Sequence, residues 1–224
     1  MRPVSKGTAP RAYAKFSEAQ PDLASRIGRF CSYCERRIPS GLCVEHKRPR
    51  SRYPAEELEW SNFLLACDNC NGCKGHPRIA LHRYLWPDTD NTLRAFRYTD
   101  GGLVRAMRTL PRRLKRKAGR TLRLLGLDKH PGHFYAPTDR DLRWQDRREQ
   151  WDKAQLFKDQ LAAQDTPQQR SLTIVAASDG IFSIWWTVFK VDADMRRLRE
   201  AFAGTDASCF NVTENTEPRQ GGQV

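Results

Sequence analysis

Acidic residues are missing from the middle of this chain: none falls between Asp100 and Asp128, a stretch that holds nine Lys/Arg from Arg105 to Arg123. Long apolar runs are missing too. No segment approaches the roughly 18 consecutive apolar residues of a membrane-spanning helix, which excludes a helical membrane anchor from the expectation. The opening MRPVSKGTAPRAYAKF lacks the apolar stretch of a signal peptide. The seven cysteines cannot all pair with one another, and four fall in Cys-x-x-Cys pairs. That pattern argues for metal ligands in a reducing compartment, so the expected location is the cytoplasm. There is no glycine-rich phosphate loop, and any ATP dependence would have to come from a partner.

What is present is charge and aromatic bulk. The 224 residues suit one medium domain or two small ones. Six Trp and ten Phe supply a core although only 39% of residues are hydrophobic. Against 26 Asp+Glu stand 39 Lys+Arg, a net charge of +13. Such a field draws polyanions, and nucleic acid is the leading partner.

The chain is organised around residues 31–76. Cys31/Cys34 and Cys67/Cys70 bound a segment that also contains Glu45-His46 and Asn62, and the second pair runs into Asn71 and Lys74. Each Cys-x-x-Cys is a turn that can aim two sulfurs at one point. Four thiolates fill a tetrahedral Zn²⁺ and leave no open position, so this zinc is expected to be structural. Cys43, Cys73 and Cys209 are left as free thiols, with Cys73 or His76 as poorer stand-in ligands.

Phosphodiester hydrolysis needs an activated water and stabilisation of the leaving oxygen. His46 suits the first task, because imidazole exchanges its proton near neutral pH. Glu45 and Asn71 offer the hard oxygen donors that Mg²⁺ or Mn²⁺ takes. On a regular strand Glu45 and His46 point to opposite faces, so a twist or bulge is expected to bring them together. Lys47, Arg48, Arg50, Arg52 and Lys74 could hold phosphates. In the acid-free stretch Ala118, Leu122 and Leu125 keep helical spacing before Gly126. That leaves Arg112, Arg113, Lys115, Arg116, Lys117 and Arg120 as candidate nucleic-acid contacts. His82, His130 and His133 have no such frame and receive no role.

Taken in that order, Cys-x-x-Cys, Glu-His, Asn, Cys-x-x-Cys-Asn-x-x-Lys-Gly resembles the zinc-clamped ββα-metal class of His-Asn-His (HNH) endonucleases. The resemblance covers about a fifth of the chain. It implies His46 as general base, Glu45 and Asn71 as catalytic metal ligands, and Asn62 as the residue that orients the base-bearing loop. Glu45 stands where aspartate is commoner, and Asn71 where the family name has histidine. The downstream WPDTDNTLRAFRYTDGG resembles HNH subunits of anti-phage systems of the Septu type, which implies an ATPase subunit as partner. Cleavage of DNA, expected to be double-stranded, to 5′-phosphate and 3′-hydroxyl ends is likewise what the family implies.

The expected fold is α+β. Residues 1–100 would hold an N-terminal ββα-metal unit braced by a four-cysteine zinc site. Residues 101–224 would form a basic, mostly α-helical C-terminal half. Within the first, a turn at 38–42 would join a strand after Cys34 to Leu42–His46, a helix would start near Trp60, and another would run from Asn71 to Leu85 with a break at Pro77. Residues 1–25 read as an arm lying on the domain or on substrate, or as a frayed end, and residues from about Thr205 as a loose tail. Two rival readings are a zinc-stabilised DNA-binding module without catalysis and an RNA-directed nuclease.

Overall fold

The computed structural model describes all residues except Ala193, Val212 and Glu214. It is α+β, with two separate two-stranded antiparallel sheets among the described residues and helices filling the C-terminal half. The first helix, α1 (Ala19–Ile27), buries Ala19, Leu23 and Ile27 at four-residue spacing. The residues before it are no frayed end. The Met1 ammonium is buried 2.6 Å from Tyr98 Oη and 3.1 Å from Glu35, and the Arg2 guanidinium donates to the Ile27 and Ala203 carbonyls, each at 2.6 Å.

The strand pairing differs from the sequence expectation. The first strand, β1 (Cys43–His46), does not pair with residues after Cys34; its partner is β2 (Phe63–Ala66), in the register Glu45↔Leu64 and His46↔Phe63. The segment around the first cysteine pair closes on itself instead, through a Phe30↔Arg37 bridge and Glu35 in the left-handed region at φ 65°. The helix expected at Trp60 is a single 3₁₀ turn, Trp60–Asn62. Four fully buried apolar residues, Phe63 to Ala66, follow it. Such a short continuous apolar run is buried on both faces as a strand. Next comes α2 (Asp68–Lys74), which stops at Gly75. Beyond it only a 3₁₀ turn at Leu81–Arg83 forms where a longer helix was expected, since Pro77 removes a donor from the ladder.

A short α3 (Thr92–Ala95) leads into the hairpin of β3 (Phe96–Thr99) and β4 (Leu103–Ala106), as the Asp100-Gly101-Gly102 turn predicts. Gly102, at φ 71°, packs against α5, where a Cβ would lie 2.6 Å from the Trp144 carbonyl oxygen. The basic stretch forms α4 (Arg112–Leu125), capped by Gly126 at φ 63°. Then follow α5 (Arg143–Ala163), α6 (Pro167–Ser178) with Thr166 capping the Gln169 N–H, and α7 (Phe182–Phe189). The apolar run Ile181–Val191 is thus a core helix, with Trp185 stacked on Phe189.

The expected loose tail is also corrected. Asn91 Nδ2 donates to the carbonyls of Cys209 and Glu217, and the Gln223 N–H donates to Asp90 at 2.7 Å. The described residues after Thr205 are therefore strapped onto the segment that follows the motif. No helix among the described residues is long and apolar enough to cross a membrane.

Candidate active site

The four cysteines converge. Their sulfurs lie within 4.8 Å of one another and all four residues are buried. Cys34 and Cys67 Sγ are 3.7 Å apart, close to the roughly 3.8 Å edge of a tetrahedron built on a 2.3 Å Zn–S bond. Burial pushes the Cys31 and Cys70 thiols well up, whereas hydrogen bonds from its neighbours pull Cys67 down. So many buried thiols can ionise together only around a cation, and the donor set fits a structural metal. Arginines face it from outside: Arg143 Nη1 donates to Cys70 Sγ at 3.1 Å, and Arg36 Nη2 lies 3.8 Å from Cys67 Sγ.

Around β1 and α2 lies a cavity of about 420 Å³, lined by all four residues of β1 and by Asn71 and Lys74. Phe16, Arg50 and His76 are among the other residues of its wall. No bulge interrupts the β1–β2 register, yet both Glu45 and His46 line this one cavity. His46 is held edge-on between Phe16 and Phe63, with ring centroids 5.0 and 5.1 Å away. Its Nε2 lies 2.8 Å from the Glu57 carbonyl oxygen. A carbonyl can only accept, so in the neutral ring Nε2 carries the proton and Nδ1 keeps the lone pair.

The loop that supplies Glu57 is pinned by Asn62. Its Oδ1 accepts from the Arg48 N–H at 2.8 Å, and its Nδ2 donates to the carbonyls of Arg48 and Glu56 at 3.0 and 3.2 Å. Glu45 is buried. Its Oε2 accepts from Tyr33 Oη at 2.5 Å, and its Oε1 has no hydrogen bond but faces Lys74 Nζ at 2.6 Å. Burial and the Glu45 charge push the Tyr33 phenol well up, so it stays a donor. Asn71 is exposed on α2, one turn past Cys67.

The expected phosphate contacts divide. Arg50 and Lys74 line the cavity. Arg48 pairs with Glu56, and Arg52 is exposed with Nε 3.4 Å from the His76 carbonyl. Lys47 is buried against Asp88 at 2.7 Å rather than facing outward. On α4, Arg112, Lys115, Arg116, Arg120 and Arg123 line one open surface groove, and Arg113 is exposed. Lys117 instead turns inward and donates to Gln223.

Sequence reasoning missed several of these groups. Tyr33 is only the filler of a Cys-x-x-Cys, Asp88 reads as turn chemistry, and Arg143 is one basic residue among many. Glu57 acts through its backbone, which leaves no mark in a sequence.

Comparison with known proteins follows the same residues. The HNH endonuclease family model matches residues 31–76. Over 74 residues the chain is 34% identical to the Septu protein PtuB of Bacillus thuringiensis, an alignment covering 30% of this chain and 29% of that protein. The likeness to HNH endonucleases is thus confined to residues 31–76, and the chain spans less than a third of the length of the Septu protein it matches.

Proposed function

We propose that this chain is a metal-dependent DNA endonuclease of bacterial anti-phage defence or restriction. In this reading residues 1–100 carry the cutting site and residues 101–224 the basic binding surface. The observation that carries it is the 2.8 Å contact between His46 Nε2 and the Glu57 carbonyl oxygen. With Nε2–H committed to the Glu57 carbonyl, Nδ1 is the base that takes a proton from the attacking water. Phe16 and Phe63 hold the ring, and Asn62 holds the loop that holds the ring.

Glu45 Oε1, buried and facing only the Lys74 ammonium, together with the exposed amide of Asn71, fits a hard divalent cation such as Mg²⁺ or Mn²⁺ once Lys74 turns to phosphate. When bound, that ion supplies charge neutralisation on the scissile phosphate and its leaving 3′ oxygen. Lys74, now paired with Glu45, and Arg50 are the cations placed to receive phosphate. The Cys31, Cys34, Cys67 and Cys70 set would hold Zn²⁺ and keep the hairpin on the helix. Arg112, Lys115, Arg116 and Arg120 would follow the DNA backbone.

Likeness to a Septu protein supports the defence setting, and an ATPase subunit in the cytoplasm is the partner proposed there. The test is plasmid nicking with Mg²⁺, Mn²⁺ or EDTA, with His46→Ala beside the wild type. Metal-dependent nicking that His46→Ala loses by about 10²-fold or more, with metal content and DNA binding kept, is the expected result. Nicking that survives in His46→Ala overturns the base assignment.

One observation favours a second reading. Both Glu45 oxygens already face protein groups, Tyr33 and Lys74, as they would in a DNA-binding module that never cuts. Firm DNA binding without cleavage of DNA or RNA under any divalent metal, even with the ATPase partner added, decides for it.

A further inference from the structure

Two of the most exposed large apolar residues are neighbours: Phe134 is 89% exposed and Tyr135 62%. They do not dangle. His130, His133, Tyr135 and Phe134 form a run of rings, with successive centroids 5.3, 6.2 and 4.8 Å apart. His133 Nδ1 accepts the Tyr135 N–H at 3.1 Å, which fixes the turn. Both ends of the loop are tied to α2, the helix of the candidate site. Lys129 Nζ lies 3.8 Å from Cys73 Sγ, and Asn69 Nδ2 donates to the Arg140 carbonyl at 3.4 Å. No acid falls between Lys129 and Thr138, and the acid-free helix α4 ends just before the loop.

A preformed cluster of rings, with Phe134 and Tyr135 exposed, in an acid-free stretch that follows a basic helix has the chemistry of a base-stacking platform. Stacking requires a base whose face is open, and in an intact duplex both faces are covered. We infer that the loop from His130 to Tyr135 stacks on unpaired bases, so that the preferred nucleic acid carries a single-stranded, bulged or kinked segment. This rests on the nucleic-acid reading above and adds the form of substrate to it. The ring faces supply recognition without sequence, since every base has a π-face, and the basic face of α4 is the source of backbone contacts in the same complex.

Binding measured in EDTA keeps the test independent of cleavage. Three probes of equal length are used: a single strand, a duplex with a 2-aminopurine bulge, and an intact duplex. Phe134→Ala with Tyr135→Ala is expected to weaken the first two by about ten-fold or more, to leave the intact duplex within about two-fold, and to abolish the 2-aminopurine fluorescence change. Phe134→Trp with Tyr135→Trp should restore both signals. Because these side chains are exposed, an unchanged thermal melt should accompany each variant. Equal binding of all three probes by wild type and variant overturns the inference. So does a variant that keeps all DNA binding but loses association with a protein partner, which would make the loop a protein-docking surface. Failure of the nuclease reading is scored separately, by nicking with His46→Ala.

Discussion

Arg143, at the start of α5, donates from Nη1 to Cys70 Sγ at 3.1 Å while its Nη2 reaches Asp141 at 2.7 Å. The C-terminal helices thus place a fixed, buried positive charge against the four-cysteine cluster of the N-terminal motif. Hydrogen bonds to a thiolate spread its charge and hold its orientation. Outer partners of this kind typically alter metal affinity by about 10- to 100-fold. Arg143→Met should therefore release zinc to a chromogenic chelator at least about ten-fold faster than wild type. Arg36→Gln, with its longer 3.8 Å contact, should show a smaller effect.

Removing the cluster's metal altogether should be more severe. Four buried thiols without a cation leave charge or unmet desolvation in the core. Chelation with a high-affinity zinc ligand is expected to lower the melting temperature by more than about 10 °C and to loosen the β1–β2 pair. Circular dichroism and amide exchange at Glu45 and His46 are the measurements.

Asn62 makes three hydrogen bonds to the 48–56 loop. Asn62→Ala strands those backbone groups and should cost about 1–3 kcal/mol in urea unfolding. If the loop positions His46 through Glu57, cleavage should fall more than stability does, with kcat reduced and substrate affinity little changed. Loss of affinity with unchanged kcat would place Asn62 outside that role.

The groove on α4 presents Arg116 and Arg120 together. Arg116→Glu with Arg120→Glu should weaken DNA binding and lower the slope of log K against log salt by about 1.8 if both touch phosphate. Lys117→Gln should leave that slope unchanged, because Lys117 faces Gln223. An unaltered slope in the double variant returns the face to an ordinary solvated one.

Lys6 is buried against Asp88 at 3.0 Å, and burial pushes its ammonium down to about 8. Between about pH 8 and the ordinary lysine value near 10.4, the unfolded chain binds a proton that the folded one lacks. Stability contributed by this group therefore rises with pH across that window, by at most about 1.4 kcal/mol per pH unit. Below about pH 8 both states are protonated and the contribution is flat. Comparing wild type with Lys6→Met in urea at about pH 7, 8.5 and 10 should show a gap that changes only above about pH 8.

How much of this was legible in the sequence depends on distance along the chain. The cysteine cluster could be read because each pair is local and a tetrahedral ion explains both. Glycine gave away the β3–β4 turn and the end of α4. The strand β2 was misread because Ser61 and Asn62 are favoured helix caps, whereas burial of Phe63 to Ala66 on both faces decides the matter only in three dimensions. Tyr33 on Glu45, and Asp88 between Lys6 and Lys47, depend on contacts that no local spacing encodes. The buried state of Lys47 and Lys117 was hidden for the same reason, since a lysine in a basic run looks like its exposed neighbours.

The strap on Asn91 has a consequence for synthesis. Its side-chain partners, the carbonyls of Cys209 and Glu217, lie 118 and 126 residues further along the chain. At about 5–20 residues per second a ribosome delivers them on the order of ten seconds after Asn91 itself has been added. During that interval the Asn91 amide has only water to donate to. The segment beyond the motif therefore reaches its final packing only after residues more than a hundred positions downstream have been made.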